Sequence, residues 1–222
     1  MNNTMRHHID TATLLAYSAG TLNDALSAVV ASHVASCSHC AREVEAMDMV
    51  GSAMLAGMPV QMHEAPVAVP ERPTTQVSAA SHGTSHALDP DDDTIAIPTP
   101  IRRRFRITAK DIRWQPLAPG VWHFRLPLGS AGAGDLRLLR IAPGYRMLEH
   151  GHGGTELTLV LQGAFSDSTG EYLPGDIQEV ADETEHCPVA DRVTGCICLI
   201  ASEERARFRG VVGKIVQAWT GL

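Results

Sequence analysis

A proline-rich break constrains this chain more than any other feature. Seven of its thirteen prolines fall between Met58 and Pro100, in a stretch with no sustained helical or strand period. The segment reads as a linker, and it separates two halves whose apolar residues repeat differently. Residues 1–57 carry helix signals, whereas residues 101–222 carry short β-like runs set apart by glycine and proline. The expected fold is therefore α+β in two domains, 1–57 and 101–222, joined by a linker at 58–100.

In the first half a helix is expected from Asp10 to Ala19, stopped by Gly20. Thr21, with Asp24 after it, is placed to cap a second helix. On that second helix Leu22, Leu26, Val29, Val30, His33 and Cys37 share one face, and a third helix is expected from near Cys40 through Val44, Met47 and Met54. His33 and Cys37 then lie one turn apart, and Cys40 can turn back toward the same point. Three such soft donors suit zinc, whose structural sites take four in a tetrahedron. His7 and His8 are the donors available for the fourth position, while His39 should point away from the cysteine pair. A domain this small has little core of its own, and bound metal would supply folding free energy.

The second half contains "IRWQPL", "GVWHFRL", "DLRLLRIAPG", "ELTLVLQG", "DIQEVA" and "TGCICLIA", many short strands that suggest a barrel or sandwich. A last segment, "GVVGKIVQAWTGL", reads as an amphipathic helix. Alternate residues of a strand face one side, so His150 and His152 project together. Glu156 begins a strand on which Leu157, Leu159 and Leu161 oppose Glu156, Thr158 and Val160. The run from Gly144 to Gly163 resembles the first cupin motif at every marked position: Gly, five residues, His-x-His, three residues, Glu, six residues, Gly. The second cupin motif is kept in the Gly175–Asp176 turn and the spacing to His186, with Ala181 and Glu183 in place of its usual proline and glycine. That resemblance implies a barrel metal held by His150, His152, Glu156 and His186, a donor set that accepts zinc or another divalent transition metal. It also leaves open a metal-dependent dioxygenase, for which His123 and Arg140 are the available orienting groups.

Taken together, "RHH", "HVASCSHC", "HGHGGTELTLVLQGAF", "GDIQEVADETEHCPVA" and "CICLIA" resemble the ChrR-type zinc-binding anti-sigma factors, a helical zinc domain followed by a cupin-like domain. The resemblance implies His8, His33, Cys37 and Cys40 as the zinc ligands. It implies an extracytoplasmic-function sigma factor as the partner, released on oxidative stress from singlet oxygen or organic peroxides, with the barrel as sensor. A fourth helix that clamps the sigma factor in this family would fall where Pro59, Pro66, Pro70 and Pro73 disfavour one, so either the clamp forms from another segment, such as 75–87, or the sigma contact is reduced. Cys187, beside a predicted ligand, is a candidate oxidant target, and Cys196 and Cys198 read as small core residues. A net charge of -7 argues against direct nucleic-acid binding. Five cysteines in two groups and no long apolar run place the expected address in the cytoplasm, away from membranes.

Overall fold

The first two N-terminal helices begin where a short polar side chain can take an unpaired N–H group. In this computed structural model, which describes residues 5–57, 95–129, 134–147, 150–151, 154–181, 187–203 and 207–208, α1 spans Thr11–Ser18 behind Asp10, whose carboxylate accepts from the Ala12 N–H at 2.8 Å. Helix α2 spans Asp24–Val34. Its cap is Asn23, accepting from the Leu26 N–H at 2.9 Å, in place of the expected Thr21. The Thr21 hydroxyl donates instead to the Ala16 carbonyl and closes the end of α1. Helix α3 spans Ser38–Ala56, two residues ahead of the expected start.

Cys37 does not continue the face of α2, as its spacing from His33 suggests. It is the extended N-cap of α3, with φ -103° and ψ 105°. The end of α2 tightens there: the Ser36 N–H bonds the His33 carbonyl three residues back at 2.9 Å, sharing it with the Cys37 N–H at 2.8 Å. The Ser36 hydroxyl also reaches back to the Ser32 and His33 carbonyls, a local bond that competes with a further helical turn.

The second half builds an antiparallel sheet of six strands from β1 (Gln115–Ala118), β2 (Val121–Arg125), β3 (Asp135–Ile141), β5 (Glu156–Gly163), β8 (Ile177–Val180) and β10 (Cys196–Ser202). Their order is β1-β2-β3-β10-β5-β8. A three-stranded sheet, β7-β6-β9, comes from β6 (Phe165–Ser166), β7 (Glu171–Tyr172) and β9 (Val189–Ala190), and β4 (His150–Gly151) pairs with β11 (Arg207–Phe208). Gly163 sits at φ 70° against the Gly195 carbonyl, where a Cβ would collide. The inner face of the large sheet closes on the small one through Val121, Leu139, Ile141, Val160, Phe165, Tyr172, Cys196 and Cys198. Cys196 and Cys198 are thus buried core residues, as expected.

The outer face is equally apolar. Leu136, Leu138, Leu157, Leu159, Ile197 and Leu199 share one core with Leu26, Val29 and Val30 of α2. The helices and the barrel sheet are therefore packed on each other. The linker expected at 58–100 also ends earlier than its prolines suggest: Ile95 and Ile97 are buried, and α4 spans Thr99–Phe105 with Ile101 fully buried. Proline suits a first helical turn, where its missing N–H has no partner to lose, so Pro98 and Pro100 start this helix and do not prevent it. Arg102, Arg103, Arg104, Arg106, Lys110 and Arg113 point outward along this stretch, Arg104 meeting Asp24 of α2 at 2.6 Å. Residues 58–94, where the clamp is expected, and the expected C-terminal helix lie outside the described residues. Among the described residues no helix is long and apolar enough to cross a membrane.

All three tryptophans, Trp114, Trp122 and Trp219, lie in the second half. Truncating fully buried Leu26 in α2 to Ala should cost about 2–5 kcal/mol. Because the core is shared, that loss is expected as a lower urea midpoint for tryptophan fluorescence, although no tryptophan is on α2.

Candidate metal centre

Four donors converge where α1's leading segment crosses the α2–α3 turn. His8 comes from the extended residues before α1, His33 from the last turn of α2, Cys37 from the cap of α3 and Cys40 from its first turn. One ligand atom from each lies within 4.8 Å of all the others. His8 Nδ1 is 3.3 Å from Cys37 Sγ and 3.7 Å from Cys40 Sγ. Donors of a tetrahedral zinc site stand about 3.3–3.8 Å apart, given metal bonds of about 2.0–2.3 Å. His33, Cys37 and Cys40 are buried, and His8 closes the group from the solvent side.

The structure also separates the two adjacent histidines. His7 turns to the barrel, its Nε2 3.1 Å from the Glu171 carbonyl and its ring 4.3 Å from the Tyr172 ring, whereas His8 joins the cysteines. His39 rests beside the His8 ring at 4.5 Å, outside the four-donor group.

His33 carries the test of whether a metal fits. Its Nδ1 lies 3.0 Å from the Gly175 carbonyl, so Nδ1 carries the proton and Nε2 presents a lone pair. Buried Nε2 has no hydrogen-bond partner among the described residues. Such an atom is costly unless something else, here a cation, accepts its lone pair. Burial holds the His33 imidazole down to about 4, and burial followed by the charge of His39 lowers His8. Both rings are therefore neutral, as ligands must be. Without a cation, burial pushes the Cys40 thiol up to about 11, and the Ile9 N–H directed at its sulfur works the other way. These four residues could hold a metal ion, which would replace the thiol protons.

In the barrel, Glu156, Thr158 and Val160 face inward while Leu157 and Leu159 face the helices, the alternation expected from sequence. Buried Glu156 has its carboxyl raised to about 8 by burial, with its Oε1 3.5 Å from the Thr158 hydroxyl. The backbone of His150 lies in β4 beside Phe208. The His150 side chain, His152 and His186 lie outside the described residues. Arg140, an orienting group only under the dioxygenase alternative, is on the opposite face of β3 from the interior, over the Trp122 ring at 5.9 Å. On β3 the cation on the inner face is Arg137, which the sequence pattern does not single out. It pairs with Asp135 and reaches His123 Nδ1 at 3.2 Å. Burial first, then the charge of Arg137, lowers the His123 pKa. Half-buried Cys187 donates its S–H to the Met147 carbonyl at 2.9 Å.

Residues 102–205 match the family described as the ChrR cupin-like domain. Over 220 residues, 96% of this chain and 97% of the relative, the sequence is 39% identical to the anti-sigma-E factor ChrR of Cereibacter sphaeroides. The chain belongs to the ChrR family of anti-sigma factors. A chain in the crystal structure of Rhodobacter sphaeroides SigE in complex with the anti-sigma ChrR superposes with a TM-score of 0.68 at 38% identity, covering 90% of this chain and 99% of that one. Membership in the ChrR family makes this protein a regulator and not an enzyme, so the dioxygenase alternative falls away. The likeness to ChrR spans the helices with the four-donor group as well as the barrel.

Neutral, buried His33 makes the metal-free protein sensitive to acid. Its folded-state pKa of about 4 lies below the ordinary 6.5. Its contribution is therefore complete above pH 6.5 and is lost as pH falls from 6.5 toward 4, by up to about 3 kcal/mol. Urea unfolding of metal-free protein at pH 7 and pH 4.5 should show that loss, and His33→Asn should flatten it.

Proposed function

We propose that this protein is an anti-sigma factor that sequesters an extracytoplasmic-function sigma factor through its N-terminal helices, with zinc bound by His8, His33, Cys37 and Cys40. The observation that carries the reading is the likeness to a ChrR chain solved with SigE, combined with a four-donor group inside the same helices. Zinc suits two thiolates and two imidazoles in a closed, buried, redox-silent site. It would clamp the leading segment of α1 onto the α2–α3 turn, which fixes the helices against each other.

The surface left for a partner supports this reading. Leu15 of α1 and Met49, Val50, Met54 and Leu55 of α3 are exposed apolar side chains that a bound partner would cover. Residues 1–56 hold two Arg against five Asp and Glu, which favours a partner with a basic face. The barrel, with zinc or another divalent transition metal on His150, His152, Glu156 and His186, serves as the sensor in a cytoplasmic complex. Singlet oxygen or an organic peroxide acts there, and the sigma factor is released when the helices lose their bound geometry. Release requires that the signal favour a state with lower affinity for the sigma factor.

Co-expression with an extracytoplasmic-function sigma factor and a reporter it drives tests the proposal. The wild-type chain should co-purify with the sigma factor, contain zinc and silence the reporter. Replacing Cys37 and Cys40 together by Ala should abolish capture and restore reporter output. A Glu156→Ala chain should still capture the sigma factor but fail to release it under singlet oxygen. Absence of a complex with the wild-type chain would remove the sequestration reading.

A further inference from the structure

The four-donor group is not built by the helices alone. From the contacts around its two imidazoles we infer that the Gly175–Asp176 turn of the barrel positions both histidine ligands and so sets the metal affinity of the N-terminal centre. The inference rests on reading His8, His33, Cys37 and Cys40 as a metal centre, and adds to it the barrel residues that tune it.

Asp176 is 1% exposed, and its carboxylate spans two parts of the chain. Oδ2 accepts the Leu173 N–H of its own turn at 3.0 Å. Oδ1 accepts the N–H groups of Arg6 at 2.7 Å and His7 at 3.2 Å, from residues 170 and 169 positions away. Those two peptide units lead directly into His8, so the carboxylate fixes the register in which the His8 ring meets the sulfurs. Charge-assisted bonds of this kind are about twice as strong as neutral ones.

The neighbouring peptide holds the other imidazole. The Gly175 carbonyl, at 3.0 Å from His33 Nδ1, selects the tautomer and ring orientation that turn buried Nε2 toward the cysteines. Gly175 has φ 94°, and a Cβ there would stand 2.7 Å from Met5 Cε. Its lack of a side chain thus lets the leading segment lie against the turn. The turn is in turn anchored to β5: Gly175 donates to the Val160 carbonyl at 2.9 Å, and the Val160 N–H donates to the Asp176 carbonyl at 3.0 Å. Val160 is on the strand that begins with Glu156, so the turn links that strand to His33 through the Gly175 carbonyl and to the segment carrying His8 through the Asp176 carboxylate.

Residues that orient a metal-bound histidine contribute about 10–100-fold to metal affinity. The test uses the full-length chain loaded with cobalt(II), followed by the thiolate-to-cobalt absorption band and competition with a chelator of known affinity. The barrel donors include no thiolate, so the band reports the N-terminal centre. Asp176→Asn should keep the band and weaken cobalt binding by about tenfold or more. Arg6→Pro, which removes one N–H donor and leaves the barrel sequence intact, should also weaken it. The Arg6 side chain itself is exposed and only 4.0 Å from Glu171, so its loss has little effect. Glu179→Gln is the control: Glu179 ties Asp10 and Thr13 to β8 but touches neither histidine ligand. It should leave affinity unchanged.

Unchanged affinity in both Asp176→Asn and Arg6→Pro, or an equal loss in Glu179→Gln, would overturn the inference. If Asp176→Asn loses its native circular dichroism, Arg6→Pro decides alone. A wild-type chain that gives no thiolate-to-cobalt band would instead defeat the underlying reading of a metal centre.

Discussion

Burial of the outer face of the six-stranded sheet under α2 is the interaction on which the rest depends. A sheet with two apolar faces cannot stand in water on one of them, and here the inner face has the small sheet while the outer face has the helices. Leu26, Val29 and Val30 supply the cover, with Ile95, Ile97 and Ile101 extending it. The N-terminal helices, too few to bury much by themselves, gain a core from the barrel. This docking brings the leading segment beside the Gly175–Asp176 turn, and only then can a barrel carbonyl meet His33.

The placement of the metal candidates follows from that packing. Cys37 and Cys40 are neighbours along the chain and depend only on the α2–α3 turn. The two imidazoles depend on distant residues, His33 on Gly175 and the segment carrying His8 on Asp176. The centre therefore joins a local part, fixed by one turn, to a non-local part fixed by tertiary contact. Buried Nε2 of His33, without a hydrogen-bond partner among the described residues, marks where the two parts meet.

What the sequence made legible was what is encoded over short distances. The alternation of Glu156, Thr158 and Val160 against the leucines of β5 reads correctly because the strand period is two and both faces are buried. The Cys37 and Cys40 spacing is equally local. The break before Cys37 was hidden, because His33 and Cys37 keep helical spacing while the Ser36 N–H shifts to the His33 carbonyl and its hydroxyl reaches back to the last turn. Helix α4 was hidden by its own prolines, which resemble a linker when read one by one. The choice between His7 and His8 could come only from resemblance, since what separates them is a barrel carbonyl at Glu171 and a ring at Tyr172. Arg137 was passed over because β-strand arginines commonly face solvent, and only its pairing with Asp135 shows why this one turns in.

The outward cations from Arg102 to Arg113 make the charge distribution lopsided. Six of the eighteen Lys and Arg residues lie in that short stretch, on a chain whose net charge is -7 and whose residues 1–56 are acidic. Such a cluster sets a locally positive face on an otherwise acidic molecule, so a charged body approaching that face meets a field of opposite sign to the rest of the surface. Ionic strength should consequently act on the orientation of encounters, over a range of about 8 Å at physiological salt, while leaving the packed interior untouched.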